Sequence, residues 1–183
     1  MPLADPGPIA SARVVVRPLR ESDLPALLEV NGDETATRYL PYATWRSLDD
    51  ANAWFARMTG IQAGGLALQF VVAEKASDRA IGTCLLFRFE ERSARIELGY
   101  VLGRAHWSRG LMREALAALL SAAFERMGVR RVEAEVDVRN AASAALLSRL
   151  GFTKDGLLRQ RWVTKGEARD VEIFGLLRDE WRG

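Results

Sequence analysis

The sequence predicts one α/β domain, a mixed central sheet of about seven strands with helices on both faces. Three observations predict it. The 183 residues run without a repeat, a low-complexity tract or a linker, and that length suits a single hydrophobic core. Leu111, Met112, Ala115, Leu116, Leu119, Leu120, Ala123, Phe124 and Met127 recur with a helical period through four turns. Directly afterwards the period drops to two: Val132, Ala134, Val136 and Val138 alternate with Glu133, Glu135, Asp137 and Arg139, a strand with one wet face. Strand and helix periods then alternate along the chain, and such an order builds a layered sheet-and-helix core.

Met1 to Ala12 has prolines and no apolar or basic start, so it reads as a flexible lead rather than a secretory signal. Arg13–Arg17 reads as the first strand, stopped by Pro18. A helix beginning near Ser22 or Asp23 buries Leu24, Leu27 and Leu28. The next has a clearer start, because Ser47 followed by Asp50 is a variant of the capping box. Its apolar face carries Ala51, Trp54, Phe55 and Met58, and Gly64-Gly65 ends it. Between the two helices lies an aromatic-rich loop with Tyr39, Tyr42 and Trp45. Leu68–Glu74, Ala80–Phe89 and Arg95–Leu102 read as strands, and Gly128 stands where the long helix would be capped. Asn140 caps a further helix to Leu150, and Gly151 ends it. Two strands close the chain around a Lys165-Gly166 turn, one made of Phe152–Lys154 with Arg161–Thr164 and the other Val171–Leu177.

Lys and Arg number 26 against 24 Asp and Glu, too even a balance for a general nucleic-acid binder. No apolar run reaches the length of about 20 residues that crosses a bilayer, so no membrane partner is expected. The single cysteine, Cys84, excludes an internal disulfide, suits the cytoplasm and reads as core. One His and one Cys at unsuitable spacing make no metal site.

The chemistry is concentrated where strand gives way to helix. Trp107-Ser108-Arg109-Gly110-Leu111-Met112-Arg113 is a short basic turn with one glycine, followed at once by the long helix. Such a turn aims unpaired N–H groups at one point and adds the helix dipole, a setting for a pyrophosphate. An ordinary turn with exposed arginines fits the same residues. The P-loop and dinucleotide fingerprints are both absent.

Taken with Glu97-Leu98-Gly99-Tyr100 before the turn and Asn140-Ala141-Ala142-Ser143…Leu150-Gly151-Phe152 after it, the segment resembles the GNAT superfamily of acetyltransferases, in particular its ribosomal-protein alanine N-acetyltransferase branch. Val16–Asp23 and Leu177–Trp181 also look like this branch, so the resemblance spans about residues 13–181, and a single GNAT-like domain is expected over 13–183 with a mostly antiparallel sheet.

The resemblance implies an acetyl-CoA-dependent N-acetyltransferase acting by direct attack of a primary amine, on a protein N-terminus or a small molecule. An antibiotic or polyamine acetyltransferase, and a sensor module that binds acetyl-CoA without turnover, are the alternatives. It further implies that backbone amides of Arg109, Gly110, Leu111, Met112 and Arg113, with Trp107 and Ser108 beginning the turn, hold the pyrophosphate. The pantetheine arm would lie beside the strand ending in Tyr100-Val101-Leu102, with Val101 or Leu102 donating an N–H to the acetyl carbonyl. Asn140 would bond the pantetheine and Ser143 would lie near the sulfur. Glu97 would take the amine proton; a structural Glu97 paired with an arginine is the competing reading. Tyr39, Tyr42 and Trp45 would line the acceptor pocket or form a satellite core. His106 reads as a solvated loop residue. Three departures stand out. Met112 falls where Gly or Ala is usual, and Leu147 stands where a general-acid tyrosine is frequent, leaving Ser143 or water to protonate the thiolate. Ser108 replaces a frequent glycine, at small cost if its φ is negative. Relatives often dimerise, and the apolar last strand is the candidate for pairing across an axis.

Overall fold

The computed structural model describes residues 5–183. Its elements are β1 (Ile9–Ala10), β2 (Val14–Pro18), α1 (Leu24–Asn31), α2 (Leu48–Ala63), β3 (Ala67–Glu74), β4 (Ala80–Glu90), β5 (Arg95–Leu102), α3 (Leu111–Glu125), β6 (Arg131–Asp137), α4 (Ala141–Arg149), β7 (Thr153–Thr164) and β8 (Glu167–Leu177). They form one sheet in the order β1-β2-β3-β4-β5-β6-β8-β7, antiparallel throughout except between β5 and β6. The mixed, mostly antiparallel sheet is as expected, with eight strands in place of about seven.

The additional strand arises in the N-terminal lead. Ile9 and Ala10 pair with Val16 and Val15, and the Ser11 hydroxyl bonds both the Val14 carbonyl and Glu114, so this end of the lead is ordered. Residues 1–4 of the lead lie outside the described residues. The two expected pieces of the penultimate strand are one strand, β7, whose register slips at Lys154/Gly156 and Leu158/Trp162. These bulges break the period-two pattern and hide the strand's continuity. The last strand, β8, lies between β6 and β7, so its backbone is paired on both sides and cannot serve as a dimerising edge.

Local chemistry explains the helix boundaries. Ser47 Oγ accepts the Asp49 N–H and Asp50 returns a bond to the Ser47 N–H, which starts α2. Asn140 Oδ1 accepts the Ser143 N–H at 3.2 Å, which starts α4. The helices bury their apolar faces on opposite sides of the sheet. Leu111, Leu116, Leu119, Phe124 and Leu147 pack with Val16, Phe70, Leu86, Ile96 and Val132 on one side. Leu24, Leu27, Trp45, Trp54 and Met58 pack on Val71 and Ala73 on the other. Beneath α1, the buried Arg17 grips buried Asp23 through two hydrogen bonds of 2.9 and 2.7 Å and also reaches Asp78. These carboxylates push the guanidinium pKa upward despite its burial.

One feature of the sheet positions the site. β5 and β6 pair only at Arg95↔Arg131, Ile96↔Val132 and Glu97↔Glu133. Beyond Glu97 the strands part, although β5 continues to Leu102 and β6 to Asp137. The side of Leu98–Leu102 facing β6 therefore lacks strand partners, and the gap opens toward the start of α3.

Candidate active site

The turn before α3 has an unusual backbone. Gly110 is its N-cap at φ +75°, and Ser108 is also left-handed at φ +59°. The expectation that Ser108 keeps a negative φ is therefore corrected: the turn needs two left-handed residues, and serine occupies one of them under strain. The first α3 bond is Glu114 N–H to Gly110 C=O at 3.0 Å, so the N–H groups of Leu111, Met112 and Arg113 precede the ladder and point outward. The Leu111 and Met112 side chains are buried in the core, which leaves only their backbone to meet a ligand. Met112 takes the place of a smaller residue by filling space against Cys84, its Sδ 3.9 Å from the buried Cys84 Sγ.

Arg109 and Arg113 are exposed beside the turn. Arg13, which the sequence did not single out, bonds the Arg109 carbonyl at 2.9 Å and the Glu114 carboxylate at 2.7 Å, fastening the turn to β2. Next to it lies a cleft of about 480 Å³ lined by Arg13, Gly110, Arg113, Arg149 and Gly151 among others. Trp107 folds back so that its indole Nε1–H donates to the Leu102 carbonyl at 2.7 Å, closing the end of β5 onto the turn. His106 is not solvated as expected: its side chain is largely covered, with Nδ1 3.6 Å from Glu74.

The gap between β5 and β6 has different chemistry on its two faces because β5 alternates. On the α3–α4 face, the Tyr100 hydroxyl lies 2.6 Å from Ser143 Oγ, bridging β5 to the first turn of α4. Burial raises the Tyr100 pKa to about 12, against the opposing effect of the Ser143 bond, so the phenol is protonated near neutrality. Val101 is buried in the same segment. Asn140 spends Oδ1 on capping α4, which also fixes where Ser143 sits.

On the opposite face Glu97 is buried, with Arg88 Nη1 at 2.9 Å. Burial raises its pKa, the Arg88 bond and charge work against that, and the nearby Glu135 and Glu133 charges add to it. Glu135 is covered from β7, where Arg161 reaches it at 3.0 Å and the Trp162 indole N–H donates at 2.7 Å. Neither Glu135 nor Arg88 was picked out from sequence. The signal for Glu135 was present: two residues beyond Glu133, it returns to the face that Glu97 occupies.

The aromatic loop divides. Trp45 is buried against Trp54 with ring centroids 5.3 Å apart, so it belongs to the satellite core and lines no pocket. Tyr42 is half-buried and donates to Asn31 Oδ1 at 2.9 Å, and desolvation raises its pKa. Tyr39 carries the Arg139 guanidinium 5.7 Å from its ring centroid, at the far end of β6. Lys165, at the tip of the β7–β8 hairpin, donates to the Thr37 carbonyl at 2.8 Å and joins that hairpin to the loop.

Residues 13–153 match the model of the acetyltransferase (GNAT) domain. The chain belongs to the GNAT acetyltransferase family. It is thus an acetyl-CoA-dependent acyltransferase. Among similar proteins, the uncharacterized N-acetyltransferase p20 of Bacillus licheniformis is 32% identical, covering 93% of this chain and 96% of that one. The solved structure of a probable GNAT-family acetyltransferase from Chromobacterium violaceum is 35% identical with a TM-score of 0.87, covering 97% of this chain and 89% of the other. The ribosomal protein uS5-alanine N-acetyltransferase of Escherichia coli is 33% identical over 84 residues, 46% of this GNAT chain and 43% of that protein. Among the described residues of this GNAT domain, no helix is long and apolar enough to cross a membrane.

Proposed function

We propose that this protein moves the acetyl group of acetyl-CoA to a primary amine, with Glu97 as the base and Ser143, backed by Tyr100, as the proton donor to the thiolate. One observation carries the reading: a buried carboxylate and a hydroxyl pair flank the point where β5 and β6 part, on opposite faces of the same strand. An amine entering from one face and a thioester from the other would then meet in the gap.

The residues fit acetyl-CoA, which supplies the activated acyl group. Left-handed Ser108 and Gly110 turn the Leu111, Met112 and Arg113 amides toward one point, and exposed Arg109 and Arg113 add charge for a diphosphate. The cleft with Arg149 supports binding of the nucleotide end. The N–H of Leu102, which faces the opening while that of Val101 is turned to β4, orients the acetyl carbonyl. Glu97, with a pKa raised by burial, takes the first amine proton, and Ser143 passes its own to the leaving sulfur and regains one from the nitrogen of the collapsing intermediate, while Tyr100 supports its oxygen. Tyr39 borders the acceptor approach. The uS5-alanine relative favours a protein N-terminus as acceptor, and a small-molecule amine uses the same groups. The lone, buried Cys84 suits a cytoplasmic setting.

The test is thiol release from acetyl-CoA over N-terminal peptides and small amines. Glu97→Gln should lower kcat by about 10²–10⁴-fold, the usual worth of a positioned base, with little change in acetyl-CoA affinity. It should also abolish an acid limb that sits above the ordinary carboxylate range in wild type, where Glu97 must be ionised to act. An unchanged rate at saturating acceptor would remove Glu97 from this role.

A further inference from the structure

Arg88 is oddly placed. It sits at φ +52° in β4, where pairing with β5 slips between Phe87↔Glu97 and Glu90↔Arg95, and this bulge lets its side chain turn back to Glu97. The two groups differ sharply in exposure: the Glu97 side chain is 9% exposed and that of Arg88 is 58%. The same guanidinium is 4.0 Å from Glu135, whose side chain is 7% exposed. Other charges nearby are committed elsewhere. Arg161 and Trp162 of β7 hold Glu135, while Arg95 and Arg131 hold Glu133. Glu97 is therefore a buried carboxylate whose only ion-pair partner among the described residues reaches in from solvent and is more exposed than the arginines that hold Glu135 and Asp137.

We propose that Arg88 is a resident stand-in for the ammonium group of the acceptor: its guanidinium holds the Glu97 carboxylate until a cationic amine displaces it, so the site selects acceptors arriving as primary ammonium ions. The inference rests on Glu97 acting on the acceptor. A guanidinium keeps its protons at any pH of interest, so it balances the buried charge without being consumed. An ammonium ion that replaces it leaves the charge of the pocket unchanged, passes one N–H proton to the Glu97 carboxylate and becomes the neutral nucleophile. A neutral hydroxyl acceptor would leave two buried carboxylates with less positive charge between them, which burial penalises. The exchange is easy because the resident ion pair is half in water, where such pairs are weak.

The experiment follows the Arg88 Nε–Hε signal by NMR, assigned with Arg88→Asn, a residue that tolerates a positive φ. Titration with n-butylammonium chloride should move the signal saturably toward the free-arginine position, and equal ionic strengths of sodium chloride should not. In thiol-release kinetics Arg88→Asn should lower the KM for amines by roughly two- to fivefold, the range an exposed ion pair supports, and leave the KM for acetyl-CoA alone. It should also move the acid limb of kcat/KM to higher pH, because Arg88 opposes the rise in the Glu97 pKa. Arg88→Lys should restore the wild-type profile. A signal unmoved by n-butylammonium at any soluble concentration, or a raised amine KM in Arg88→Asn, overturns the proposal. Displacement without thiol release from any amine would leave this exchange standing and defeat acetyl transfer instead.

Discussion

The strained turn before α3 offers a pair of substitutions with opposite signs. Ser108 and Gly110 share the left-handed region at φ +59° and +75°, yet only one is glycine. An L-residue pays about 1–2 kcal/mol for that conformation. Ser108→Gly removes this strain but adds freedom to the unfolded chain worth about 0.4–1 kcal/mol, for a net gain of about 0.8 kcal/mol at the middle of both ranges. Gly110→Ala reverses the argument. A Cβ there meets Arg13 Nη2 at 3.5 Å, an ordinary contact, so the penalty is confined to the backbone. A change of 1 kcal/mol moves the melting temperature of a domain of this size by about 2–4 °C, so Ser108→Gly should melt about 1–4 °C higher and Gly110→Ala lower by a similar amount. Scanning calorimetry of both purified variants at neutral pH measures this directly. A Ser108→Gly protein melting at or below wild type would refute the reasoning, since it would mean that serine is not strained in this turn.

Other outcomes follow from neighbouring contacts. Ser143→Ala should reduce kcat about 10²-fold or more as a lost proton donor, whereas Tyr100→Phe, which removes one hydrogen bond to it, should cost about fivefold, both read in the thiol-release assay. Arg17→Met strands the buried Asp23 carboxylate and should cost about 3–5 kcal/mol in urea unfolding, as broken buried pairs do. Burial alone would raise the Glu114 pKa, but bonds from the Arg13 N–H and the Ser11 hydroxyl, with the Arg13 guanidinium, hold it at about 2 against an ordinary 4.5. A depressed folded pKa stabilises above the unfolded value and is lost as pH falls through the folded one, so melting temperature should drop between about pH 4.5 and 2 and Glu114→Gln should flatten that fall.

What could be read in the sequence was what neighbours along the chain decide. The bounds of β5, the start of α2 at Ser47 and the length of α3 follow from period and capping, which act within a few residues. The turn before α3 and the Asn140 cap of α4 were legible for the same reason. Partners distant in sequence were not. Trp45 is core because Trp54 packs on it, the Glu135 side chain is covered because β7 brings Arg161 and Trp162 over a face that reads as wet, and Tyr100 meets Ser143 from 43 residues away. The strain at Ser108 was hidden too, since φ is set by how β5, Trp107 and Arg13 close the turn together.

The three-rung contact between β5 and β6 has a mechanical side. With no backbone rungs past Glu97, the two halves of the sheet meet there like the open end of a hairpin clip, joined on one side by the Tyr100–Ser143 bond. An extended molecule laid along the opening would supply the missing rungs and stiffen the whole body. Gly99 and Val101 turn their N–H groups to β4, so the amide hydrogens of Tyr100 and Leu102, which face the opening, would then exchange with solvent more slowly when the seam is filled than when it is empty.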